Sequence, residues 1–99
     1  MKDSDQLYRA VLLLENVGEC RRFFRDLLTE AEIKEFSNRW KVAQLLDADI
    51  PYETITKETD MSSTTIARVS KWLTSGKGGY RLILDRMHHH TSRTRSRAD

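Results

Sequence analysis

Turn-forming residues are nearly missing from this chain. Of its 99 residues only 4 are Gly and 1 is Pro, and most of the Gly falls in one stretch, Ser75-Gly76-Lys77-Gly78-Gly79. An all-β fold needs a turn roughly every 8–12 residues, and this sequence cannot supply them. Helices are what remains. Charged residues make up 32% and apolar residues 38% of the chain, a balance that folds rather than staying disordered. Its length suits one domain. A domain this small buries only about 60–70% of the surface its unfolded chain exposes, so a second copy is the obvious source of further core.

Cys20 is the single cysteine. It can form no intrachain disulfide and no thiolate zinc site by itself, and it reads as a small core residue. The longest apolar run, Ala10 to Leu14, is too short for a signal peptide or a membrane span. A soluble, cytoplasmic protein with no membrane partner is expected.

Leu7, Val11 and Leu14 recur at helical spacing, which predicts a first helix opened by Asp5 and closed at Val17-Gly18. A second helix runs from Glu19 to Leu28 with Cys20, Phe23, Phe24, Leu27 and Leu28 apolar. Thr29-Glu30-Ala31-Glu32 is a capping box and opens a third helix that reaches Asp47. Ile33, Phe36, Trp40 and Ala43 make its stripe, widened by Val42, Leu45 and Leu46. At roughly 18 residues it spans about 27 Å, and its broad apolar surface suits a central helix packed on several sides, a second subunit included. Asp49-Ile50-Pro51 breaks the chain, and Pro51 suits the first turn of the next helix. Short helices follow over 52–59 and 63–74. A last one covers 80–87. Beyond it Arg alternates with Ser and Thr, which reads as a disordered basic tail over 88–99.

Residues 52–73 are two short helices joined by the tight break Asp60-Met61-Ser62, the helix-turn-helix format. Ile55, Met61, Ile66 and Val69 are spaced to close the small core between them. Asp60 tolerates the left-handed backbone such a turn requires, and Ser62 or Ser63 can cap the second helix. Ile66, Val69, Ser70 and Leu73 face inward; Thr64, Ala67, Arg68 and Lys71 face outward. Ser63, Thr64 and Thr65 occupy the first turn, the end that enters the major groove in this motif. Their hydroxyls and amides suit phosphate or base edges, and Arg68 and Lys71 suit phosphate or guanine. Charge points the same way. Residues 1–63 hold more acids than bases, whereas 64–86 hold Arg68, Lys71, Lys77, Arg81 and Arg86 against Asp85 alone. The candidate DNA-binding residues are thus Ser63, Thr64, Thr65, Ala67, Arg68 and Lys71.

With these residues in view, the chain resembles the Trp repressor family. Leu28-Thr29-Glu30-Ala31-Glu32 through Arg39, then Lys41-Val42-Ala43-Gln44-Leu45-Leu46, is similar to the family's central helix. Lys57 through Arg68 is similar to its reading head, the helix-turn-helix unit. Glu19 through Leu27 and Tyr80 through Arg86 resemble the YerC/YecD-type Trp-repressor-related branch. The likeness covers roughly residues 5–87. It implies an all-α fold of six short helices in a domain over 1–87, an intertwined homodimer, and double-stranded DNA as partner, with two reading heads in successive major grooves. Family members hold L-tryptophan between central helix and reading head, and Thr29, Arg39 and Arg68 match those contacts in type. Two neighbours depart: Val69 stands where the family has Gly, and Trp72 where it has a small Ser. The departures argue against a tryptophan response and leave the small-molecule effector unnamed.

Two other classes compete. A helical protein-interaction adaptor without DNA binding fits the even balance of bases and acids over residues 1–87. An enzyme does not fit, since no base, nucleophile and orienting group can be assembled around Cys20. His88, His89 and His90 lie at the edge of the tail and read as tail or as an expression remnant. No cofactor or metal is expected. The sign of regulation is open, with repression the expectation.

Overall fold

The computed structural model describes the backbone of residues 2–98 and the side chains of residues 2–88. Six α-helices and no strand occupy the described residues: α1 (Asp3–Val11), α2 (Val17–Leu27), α3 (Glu30–Asp47), α4 (Tyr52–Thr59), α5 (Ser63–Ser75) and α6 (Gly79–Ala98). The chain divides into two compact units, Met1–Phe36 and Ser37–Asp99, and the division falls inside α3.

In the first unit α1 starts at Asp3 rather than at Asp5, with both acids in its first turn, where they favour the positive end of the helix. It ends at Val11, not at Val17-Gly18. The reason is Asn16. Its side chain accepts the Glu19 N–H at 2.9 Å, and Glu19 Oε1 accepts the Glu15 N–H at 2.9 Å. This pairing starts α2 two residues before Glu19 and leaves Gly18 inside the first turn. The Thr29 box forms as the sequence predicts. Glu32 N–H donates to Thr29 Oγ1 at 3.1 Å and Thr29 N–H donates to Glu32 Oε1 at 2.9 Å. These contacts hold the Glu32 carboxyl below its ordinary range, the Thr29 amide first among them. Neither α1 nor α2 has a buried residue. Leu12, Leu13 and Val17 are largely exposed, Phe23 and Phe24 meet edge to face, and Cys20 is half-buried rather than fully in a core.

The second unit holds the core. Val42, Ala43, Ile55, Ile66 and Val69 are fully buried, with Trp40, Leu45, Leu46, Ile50, Met61 and Tyr80 packed around them. Helix α3 stops by a left-handed residue. Asp49 takes φ 60°, its N–H donates to Leu46 O, and the Ile50 N–H donates to Leu45 O, each at 3.0 Å. This is the Schellman arrangement, with Asp in the place of the usual Gly. Pro51 takes the cap position of α4, one residue before the predicted place.

Helix α6 is longer than the sequence predicts, since its backbone stays helical past Met87 to Ala98. No Gly or Pro follows Gly79, and an added residue extends a formed helix far more cheaply than it starts one. His88 Nε2 lies 2.7 Å from Asp47 Oδ2, and Arg81 Nη2 donates to Asp47 Oδ1 at 2.7 Å. The side chains of His89 and His90 lie outside the described residues. Trp40 and Tyr80 stack with ring centroids 6.2 Å apart, a second tie between α3 and α6.

Asp47 gives α6 an acid-sensitive anchor. Arg81 first, and His88 after it, hold its carboxyl below the ordinary value. A carboxylate depressed in the folded state contributes stability above its unfolded pKa, and that stability is lost as pH falls through the lower, folded value. Urea unfolding between neutral pH and about pH 3 should therefore show the wild type losing stability in acid. Asp47→Asn should start less stable and lose less. Parallel pH profiles for the two proteins would refute the anchor.

Candidate nucleic-acid interface

The turn between α4 and α5 is built on a residue that carries no sequence signal for it. Thr59 is buried. Its hydroxyl donates to Ile55 O at 2.7 Å and accepts the Met61 N–H at 3.3 Å, so the polar backbone on both sides of the break has a partner. Asp60 follows at φ 56° and donates its N–H to Thr56 O at 3.1 Å. The left-handed turn thus falls on the residue the sequence nominates, and without Gly.

Ser62, not Ser63, caps α5. Its Oγ accepts the Thr65 N–H at 3.1 Å and lies 3.1 Å from Thr65 Oγ1. The candidate contacts in the first turn therefore differ in kind. Ser63 and Thr64 are exposed, whereas Thr65 is half-buried with its hydroxyl turned back to the cap. Ala67, Arg68 and Lys71 are exposed on the following turns, and positions 64, 68, 71 and 72 recur at the spacing of one helix face. No acid lies anywhere in α5. Opposite this face, Ile66 and Val69 are fully buried, so the core fixes the rotation of α5 and with it the direction of the polar face.

Among the five effector candidates, Arg39 and Trp72 come together. The Arg39 guanidinium carbon lies 5.8 Å from the centre of the Trp72 ring, within cation–π range. Trp72 remains 42% exposed, while Val69 belongs to the core. Arg68 is exposed. Thr29 belongs to the first unit and spends its hydroxyl on the α3 cap. A hollow of about 500 Å³ opens elsewhere, beside Leu46, Asp47, Leu73, Thr74, Gly76 and Arg81, and none of the five effector candidates lines it. The Asp47–Arg81–His88 group and the Arg39–Trp72 stack had no local sequence signal, because their members are far apart in the chain.

Among the described residues no group of three or more His, Cys, Asp or Glu is placed to hold a metal ion, and no helix is long and apolar enough to cross a membrane.

Comparison with known proteins extends these observations. The family model for the Trp repressor protein matches residues 2–88. YerC of Bacillus subtilis (strain 168) is 41% identical over 86 residues, covering 87% of this chain and 83% of that protein. The crystal structure of a TrpR-like protein from Eubacterium eligens ATCC 27750 superposes with a TM-score of 0.82 at 36% identity, over 85% of this chain and 87% of that one. A Staphylococcus aureus protein solved as a candidate Trp repressor gives 0.81 at 44% identity, over 85% of this chain and 84% of its own.

Proposed function

We propose that this chain, which belongs to the Trp repressor family, is a dimeric DNA-binding transcriptional regulator that acts through α4 and α5 and needs no tryptophan. One observation carries the reading. A polar, acid-free face of α5, with Ser63, Thr64, Ala67, Arg68 and Lys71 exposed, is set at a fixed rotation by buried Ile66 and Val69 behind it. Such a face presents small hydroxyl residues at the helix start and cations further along, the order a major groove accepts. Repression is the expected sign, and double-stranded DNA the expected partner.

The dimer is supported by the first unit. Two amphipathic helices bury no residue of their own, and Leu12, Leu13, Val17 and Leu27 in and between them are exposed, an apolar surface of the kind that marks an interaction site. A homodimer covers them and sets two reading heads for half-sites about 34–36 Å apart. Tryptophan independence is supported by Val69, which fills core on α5 where the family keeps a Gly.

A DNA shift assay over a salt series, on protein whose dimeric state is checked by sedimentation, tests the reading. Thr64→Ala should cut discrimination between the selected site and random duplex by about 1–3 kcal/mol. Lys71→Ala should weaken binding to every sequence and flatten the salt slope by about 1. Folded protein that shifts no duplex at any salt concentration would favour the protein-interaction adaptor instead. A well-folded monomer at micromolar concentration would overturn the dimer.

A further inference from the structure

The geometry points to Trp72 and Arg39 as a DNA-backbone contact that widens the interface beyond α5, the indole N–H donating to a phosphate and Arg39 bringing a charge from α3 to the same strand. This rests on the DNA-binding reading above.

Five observations carry it. Trp72 stands one turn after Arg68 and next to Lys71, on the exposed face of α5, where a large apolar ring has no ordinary reason to be. It is 42% exposed, so solvent, and whatever docks there, reaches part of it. Its backbone is held. The Gly76 N–H donates to Trp72 O at 2.9 Å, and a Cβ on Gly76 would lie 2.4 Å from that oxygen, so only Gly closes the helix so tightly behind it. The ring is held as well, under the Arg39 guanidinium at 5.8 Å. An indole offers one donor and no acceptor, and its neighbours Arg39, Arg68 and Lys71 are all cations. Such a site favours an anion, and the anion next to a groove-bound helix is a phosphate.

Fluorescence and affinity on a random-sequence duplex test this together, since a phosphate contact does not depend on the base sequence. At low salt and saturating duplex the unaltered protein's indole emission should change. That change should vanish in Trp72→Phe, whose remaining indole, Trp40, is half-buried. Trp72→Phe keeps a ring under Arg39 but loses the N–H, and should bind about tenfold more weakly. Arg39→Gln should lower the salt slope by about 1. Far-ultraviolet circular dichroism matching the wild type keeps these losses from being read as misfolding. The inference is overturned if the emission change persists in Trp72→Phe, if that variant binds as tightly as wild type, or if Arg39→Gln keeps the full slope. Lys71→Ala separates the two levels. If it flattens the slope while Trp72→Phe and Arg39→Gln change nothing, DNA binding stands and this contact falls. If folded wild-type protein ignores the duplex, both fall.

Discussion

Ile66→Ala should lower the unfolding free energy by about 2–5 kcal/mol, a large share of the roughly 5–15 kcal/mol that holds a whole domain. Ile66 is fully buried among Val42, Ala43, Ile55 and Val69, so truncation removes apolar contact with α3 and α4 at once. The core is small, and few other side chains can move in to fill the gap. The effect should reach DNA. The same side chain that fills the core fixes the rotation of α5, so Thr64 and Lys71 lose their common direction when it is cut back. Urea unfolding followed by circular dichroism measures the first effect, and duplex affinity at a temperature where the variant is folded measures the second. A loss below about 1 kcal/mol would mean that the site collapses around the cavity, and that the core does not set the face.

The helix-turn-helix was legible because its determinants are local. Ile55, Ile66 and Val69 advertise their burial by helical spacing, Asp60 its left-handed turn by residue type, and Thr29-Glu32 its cap by a three-residue interval. Local signals fail where two of them compete. Gly18 signals a helix end, but Asn16 and Glu19 signal a helix start across it, and the cap prevails because it satisfies amides that would otherwise lack partners. They fail again where composition speaks to solvation only. Arg, Ser and Thr are residue types that favour hydration, and hydration does not forbid a helix. Contacts across long sequence separations leave no local trace, which is why Asp47 with Arg81 and His88, and Arg39 with Trp72, emerge only from the fold. The bare helices α1 and α2 are an intermediate case. Their apolar faces are visible in the sequence, and the fold of the single chain buries none of their residues.

Val69→Gly with Trp72→Ser should have the other large effect, and it bears on what regulates the protein. Val69 is fully buried. Removing its side chain from the core and placing Gly inside α5 should together cost about 2–4 kcal/mol, about 1 of it from the Gly. The melting temperature of a domain this size should then drop by about 4–8 °C per kcal/mol. The Trp72→Ser half removes the ring that Arg39 covers. On the proposed reading the unaltered protein holds its reading head by its own side chains, Val69 within and Trp72 under Arg39 outside, with no ligand required to order it. A ligand shifts an equilibrium only where it binds one state better than another. Millimolar tryptophan should therefore leave the duplex affinity of the wild type unchanged, and calorimetry should detect no heat of binding. The double variant, loosened and with space beside Arg39 and Arg68, should bind duplex more weakly and should take up tryptophan weakly. Micromolar tryptophan binding by the unaltered protein would overturn this account of Val69 and Trp72. A double variant as stable as wild type would do the same, because Val69 would then not be the side chain that holds α5 in place.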